Sequence, residues 1–290
     1  MRKEEVRSLI NLLDDNDNEI ASAAMHRLCS AGESIIPNLE QAWQECIEEL
    51  RLMRIERVIG QIQSRTTLRK LKEWVDAGAA ELLPGAFYMA KLLHPDAAYE
   101  PIAKTLEGIC KDIWIELNSY LTALEKVAII NHVLFGKYKF CSNASLIDNA
   151  PEQFLIDNLL QNKMGNCLAL STLYLCVAEK LKLPIKGLDM PRSLMLAYLD
   201  EHYLDERSLF YIYPFLGGQV LGKQQLELVV NRTRISESNQ HIYLHTCSNR
   251  AHVLGMAKSL QDIFTYAGQR EQAKKVRAAI KILSQEPAAS

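Results

Sequence analysis

The run from Cys167 to Ala178 is the longest nearly apolar stretch in the chain, and it limits the fold more than any other feature. At helical spacing it is apolar on almost every side. It therefore predicts a helix enclosed by other elements, as the central helix of a domain is, rather than one lying on a surface. It is also far shorter than the ~20 residues of a membrane span. Gly165 and Asn166 precede it, and Pro184 is expected to end it.

The sequence before this run is helical in pattern. Leu9, Ile10, Leu12 and Leu13 form one stripe, stopped by the polar loop Asp14-Asp15-Asn16-Asp17. Ile20, Ala23, Ala24 and Leu28 form a second, with Gly32 where a C-terminal glycine belongs. Pro37 opens a third helix expected to continue toward Leu52. This arrangement resembles one HEAT-type repeat and equally fits an ordinary helical hairpin. Further stripes follow at Leu68, Leu71, Trp74 and Val75, at Phe87, Ala90 and His94, and at Ile109, Ile113, Leu117, Tyr120, Leu121 and Leu124.

After Pro184 the pattern shortens. Ile185–Met190, Leu194–Leu199 and Leu209–Phe215 read as strands, separated by polar turn residues. One helix followed by three adjacent strands predicts an α+β core with an antiparallel sheet. Leu254, Ala257, Leu260, Ile263 and Phe264, then Ala273, Val276, Ile280 and Leu283 beyond Gly268, predict a closing helical hairpin, loosely like half a tetratricopeptide repeat. The expected divisions are a helical region over 1–78, the α+β core with its helical lead-in over 79–230, and the hairpin over 231–290.

Composition narrows the function classes. The 290 residues are 48% hydrophobic and 23% charged, with a net charge of −2. These values exclude collagen-like and disordered chains. They also argue against a nucleic-acid partner, which needs a concentrated basic surface. Lys274, Lys275, Arg277 and Lys281, with Arg270 nearby, read as a solvated helix face. Seven cysteines at wide spacings, with no C-x-x-C pair, form neither a disulfide framework nor a zinc set. They read as mostly buried thiols in a reducing, cytoplasmic setting. No metal-ligand spacing and no phosphate loop occurs, so no cofactor and no metal is expected.

Cys167 differs from the other six. It opens the central helix, where backbone N–H groups lack intrahelical acceptors and the peptide dipoles favour an anion. A thiol placed there has a lowered pKa and becomes a candidate nucleophile. Asn166, beside it, and Arg192, in the run before the second strand, are candidate cleft residues.

The runs Lys163-Met164-Gly165-Asn166-Cys167-Leu168-Ala169-Leu170-Ser171 and Tyr213-Pro214-Phe215-Leu216-Gly217-Gly218 resemble the core motif of the SirB-type transglutaminase-like family. Ile130-Asn131-His132-Val133-Leu134-Phe135 resembles that family's lead-in. The likeness implies a Cys-His-Asp triad, with the cysteine at the helix start and the other two on successive strands. Cys167 fills the first position. Ser193 stands in the histidine position, and Tyr213 in the aspartate position. A neutral serine hydroxyl cannot take a proton from a thiol at neutral pH, and loss of a general base removes ~10²–10⁴ in rate.

The expected function is therefore a non-catalytic transglutaminase-like protein that binds a peptide or protein, with no nucleic-acid or membrane partner. One alternative is a cysteine-dependent peptidase or acyltransferase whose base has moved to another histidine. A second is a helical-repeat scaffold. For each of the seven histidines the plain expectation is a surface or core-rim residue.

Overall fold

A computed structural model describes residues 2–15, 17–143, 150–188, 195–201, 207–232 (backbone only over 229–232) and 245–285. The architecture is α+β and predominantly helical. The chain divides into two compact units, Met1–Lys70 and Leu71–Ser290.

In the first unit, helix α1 (Lys3–Asn11) buries Val6 and Ile10. Helix α2 (Asn18–Ala31) starts at Asp17, whose carboxylate accepts the Glu19 N–H at 2.8 Å, and stops at Gly32 with φ +74°. Helix α3 (Ile36–Glu45) carries Pro37 in its first turn, where a missing N–H costs nothing. It does not continue toward Leu52. Cys46 is extended, and a new helix, α4 (Glu49–Asp76), begins three residues later and runs past the boundary of the unit. Ile55, Val58 and Ile62 of α4 join Ile10, Leu13, Leu28 and Leu39 in one buried cluster. Arg54 donates to the carbonyls of Leu13 at 2.6 Å and Asp15 at 3.1 Å, closing the turn after α1.

The second unit is built around the helix expected from the apolar run, α9 (Cys167–Lys180), in which Leu168 to Ala178 are all buried. Helices α5 (Leu82–Leu93), α6 (Tyr99–Glu116) and α8 (Ile156–Asn162) pack against it. The stripe expected to run through Leu124 ends with α6. Leu117 is extended and Tyr120 is 94% exposed. A capping box, in which the Thr122 hydroxyl accepts the Glu125 N–H and the Glu125 carboxylate accepts the Thr122 N–H, then starts α7 (Ala123–Asn131). A π-helical turn (His132–Lys137) follows.

Two residues of β1 (Cys141–Ser142) pair in parallel with β2 (Met164–Gly165), just before α9. The main sheet contains β3 (Ile185–Leu188), β4 (Leu196–Leu199), β5 (Ser208–Tyr213), β6 (Gln219–Leu221) and β7 (Thr246–Cys247), in the order β6-β5-β4-β3-β7. Every neighbouring pair is antiparallel. Strand alternation divides the side chains between two faces. Ala197, Leu199 and Tyr211 cluster with Leu188, Leu221 and Leu226, the last from helix α10 (Lys223–Arg232). Leu196, Tyr198, Phe210 and Ile212 are buried toward the other face. Helices α11 (Asn249–Tyr266) and α12 (Arg270–Ser284) form a hairpin broken at Gly268, φ +69°, and pack on α5.

Candidate functional site

The start of α9 is held from several directions. Asn166 caps the helix by accepting the Ala169 N–H at 3.0 Å, while its own N–H donates to the Gln153 carbonyl at 3.0 Å. Gly165 allows a close approach, because a Cβ there would lie 2.9 Å from Leu159 Cδ1 and 3.2 Å from Ala169 Cβ. On the β1 side, Cys141 N–H donates to the Lys163 carbonyl at 2.8 Å and Asn143 N–H to the Gly165 carbonyl at 3.2 Å. These bonds fix Cys167 as the first residue of the helix, half-buried. The N–H groups of a first turn point out of the helix end, so the backbone here favours a thiolate or a developing oxyanion.

The other thiols depart from the expectation that they are mostly buried. All seven are free. Cys29, Cys110 and Cys176 are buried, Cys46 and Cys247 are half-buried like Cys167, and Cys141 is exposed. The strand and loop positions of Cys141, Cys46 and Cys247 carry no apolar periodicity that could have shown this. Burial raises the pKa of the Cys29 thiol, pushes that of Cys110 up to about 11 and holds that of Cys176 well above the usual thiol value, so these three stay protonated at neutral pH.

Arg192 and Ser193 lie outside the described residues, as does His202. Tyr213 is described. It ends β5, and its side chain packs with the cluster of Tyr211, Leu221 and Leu226. That cluster fills the sheet face opposite Ile212 and Leu196. The next residues, the Pro214–Leu216 turn, pack on α9 and β1. The structure thus brings the strand end carrying Tyr213 beside the helix that carries Cys167, while the phenol ring joins apolar packing near Phe215, ring centroids 6.1 Å apart.

His252 was expected at the surface or the core rim. It is instead 2% exposed, on the buried face of α11, and its ring reaches α9. Its Nε2 lies 2.7 Å from Thr172 Oγ1, and the Thr172 hydroxyl donates to the Leu168 carbonyl at 2.7 Å. Nε2 must then carry the proton, which leaves Nδ1 as a buried acceptor with no partner. Burial lowers the pKa of this imidazole to about 4. Thr172 is five residues beyond Cys167, about 140° around the helix and about 7 Å along it. His252 therefore serves α9 as a packing group. His94, at the end of α5, pairs through Nδ1 with Asp157 of α8 at 2.7 Å.

Three sequence runs far apart in the chain meet at one side chain. Asn131 Nδ2 donates to the Gly218 carbonyl at 2.7 Å, and Asn131 Oδ1 accepts the hydroxyl of Tyr174, in the middle of α9, at 3.1 Å. Gly218 has φ +77°, and a Cβ there would stand 1.9 Å from Asn131 Oδ1. The Asn131 run, the α9 run and the Gly217-Gly218 turn are thus one structural joint, a role that spacing along the sequence does not disclose. A second such feature is Lys163, whose Nζ sits 4.6 Å from the centre of the Phe140 ring and 5.7 Å from that of Tyr138. Burial lowers its pKa. The Tyr138 hydroxyl donates to Asp112, and burial together with that carboxylate pushes its pKa up to about 12.

Neither a curated protein nor a solved structure matches the chain. A family model described as the transglutaminase-like superfamily matches residues 100–258. That span covers more than half of the sequence and includes α9, the sheet and the Asn131 joint. The chain belongs to the transglutaminase-like superfamily.

Proposed function

We propose that this protein is a non-catalytic, SirB-type member of the superfamily that works in the cytoplasm as a peptide- or protein-binding module. The observation that carries the reading is the replacement of both partners of Cys167, with Ser193 and Tyr213 where the likeness implies a base and the carboxylate that orients it. The packing of Tyr213 against Tyr211, Leu221 and Leu226 supports the reading, because a phenol there offers no carboxylate to stabilise an imidazolium. The commitment of His252 to Thr172, neutral above about pH 4, supports it further by removing one replacement base.

The test is turnover. Amine incorporation into a glutamine peptide and hydrolysis of a peptide library are measured with the wild type and Cys167→Ala. No Cys167-dependent turnover is expected, and a peptide captured by the wild type should bind Cys167→Ala within about twofold. Turnover that Cys167→Ala abolishes would overturn the proposal and favour the cysteine-dependent enzyme.

A second reading, the helical-repeat scaffold, has its own support in the first unit. A groove of about 630 Å³ there is lined by Arg7, Ile10, Gln41, Ala42 and Arg51, among others. Ile47 at its edge is 93% exposed. Ile47→Asp weakening the capture of a protein partner, with Cys167→Ala neutral, would favour this reading over binding at the α9 cleft.

A further inference from the structure

Helix α12 turns one face into the protein and another outward. Ala273, Val276, Ala279 and Leu283 are buried. Arg270, Lys274, Arg277 and Lys281 are exposed. Their spacings of four, three and four residues place them within about 60° of arc, in a straight row about 16 Å long. Among the described residues none of the four side chains makes an ion pair. Glu271, the only acidic residue of the helix, lies outside that arc. Tyr266, at the end of α11 just before the turn into α12, is 97% exposed.

We propose that this row is a docking surface for an acidic helix of a partner protein. The charge and its geometry select that occupant. A partner helix with carboxylates at i, i+4, i+7 and i+11 presents the same straight row, and a four-three-four spacing reads alike in both directions, so both orientations match. Tyr266 adds a large amphipathic side chain at one end of the row, a residue type that with arginine dominates interface energetics. A membrane surface fits less well, because the apolar face an interfacial helix would insert is already buried against the protein. Nucleic acid also fits less well. The row is a single line of four charges, and the chain carries a net charge of −2. None of its residues belongs to the start of α9, and the proposal stands whether or not Cys167 is catalytic.

The test uses the full chain and a fluorescein-labelled, alanine-based helical peptide with four glutamates at i, i+4, i+7 and i+11, read by fluorescence anisotropy at low and physiological salt. The proposal expects saturable binding that weakens as salt rises. It also expects at least fivefold weaker binding of a peptide of the same composition with its glutamates distributed around the helix. Replacing Arg270, Lys274, Arg277 and Lys281 together by Gln should weaken binding by about 30-fold, at roughly two- to threefold per exposed pair. Charge exchange guards against a folding artefact. Arg277→Glu with Lys281→Glu should lose the acidic peptide and bind one carrying lysines at the two matching positions. Equal binding of both glutamate peptides, or no loss in the four-residue variant, would overturn the proposal. So would tighter binding of a short oligothymidylate or of phosphatidylserine vesicles through the same four residues, which would assign the row to nucleic acid or to a membrane.

Discussion

The Asn131 joint makes a demanding prediction, because it sets a substitution that usually helps or does little against a specific steric conflict. Gly218→Ala adds one methyl group. At φ +77° an alanine is strained by about 1 kcal/mol. The new Cβ would also lie 1.9 Å from Asn131 Oδ1 and 2.3 Å from its Cγ, so the amide has to leave its place. Its departure breaks the bond to the Gly218 carbonyl and leaves the hydroxyl of Tyr174, a fully buried residue, without its acceptor. An unsatisfied buried group costs about 1–3 kcal/mol, and the broken bond about 1 more. The total is about 3–5 kcal/mol, a large part of the stability of an ordinary domain. Urea unfolding followed by circular dichroism measures it directly. The same reasoning fixes a double-mutant cycle. Asn131→Ala alone should cost about 2–3 kcal/mol through the two lost bonds, but it removes the obstacle to the methyl group. Gly218→Ala in that background should then add only the backbone strain of about 1 kcal/mol. A cost for Gly218→Ala below 1 kcal/mol in the wild type, or strictly additive costs in the cycle, would falsify the steric account.

Two further predictions rest on other particulars. Glycine-to-alanine changes inside helices should have opposite signs at Gly85 and Gly60. At Gly85 of α5 the Cβ would meet the Trp74 ring at 2.5 Å, and the Trp74 indole is held by its bond to the Glu81 carbonyl, so overpacking should cost about 1–3 kcal/mol. At Gly60 of α4 nothing lies within 4 Å, and alanine should stabilise by about 0.5–1 kcal/mol; melting temperatures moving in the same direction for both would refute the packing. His252 should shape the acid response. Its folded-state pKa is depressed from 6.5 to about 4, so the unfolded chain takes up a proton that the folded chain refuses over this interval. The stability it contributes is complete above about pH 6.5 and is lost as the pH falls toward 4, by about 3 kcal/mol in all. His252→Gln should flatten that part of the urea-stability profile, and superimposable profiles for the two proteins would count against it.

Much of the fold could be read from single residues because one physical rule governed each. The apolar run at α9 has no polar face to offer solvent, so burial from Leu168 to Ala178 follows. Gly32 and Gly268 end helices with positive φ because no side chain opposes that conformation. Where two rules competed, periodicity alone misled. Leu121 and Leu124 extend the stripe of Ile113 in spacing, but the capping box of Thr122 and Glu125 offers the backbone a new helix start, and the chain takes it. The apolar spacing from Leu39 toward Leu52 likewise hides the break at Cys46. The short strands β1, β2, β6 and β7 carry too few residues for alternation to register.

The candidate site divides along the same line, and the division bears on how the protein is to be understood. Cys167 was legible because a helix N-terminus is a local property, set by Gly165 and Asn166 a residue or two away. The surroundings that decide what a thiol does are not local. Tyr213 stands next to the Pro214–Leu216 turn that touches α9, yet strand alternation turns its ring into the cluster with Leu226. His252, 85 positions after Cys167 in the sequence, reaches α9 only because the closing hairpin folds back on the core. The residues along α9 are also unequal in what they ask of the fold. Tyr174 is anchored through Asn131 to the Gly218 turn, and Thr172 through His252 to α11. The Thr172 tie is buried and the Asn131 tie partly buried, and both lie beyond the first turn of the helix. What they hold is the position of α9 against the Gly218 turn on one side and α11 on the other, and with it the placement of the helix start. On the proposed reading, in which Ser193 and Tyr213 stand where the family likeness implies a base and its orienter, the chain still carries this bracing. Bracing of this kind has a use when the shape at the start of α9 must be kept for a partner to recognise, and that use does not depend on turnover by Cys167.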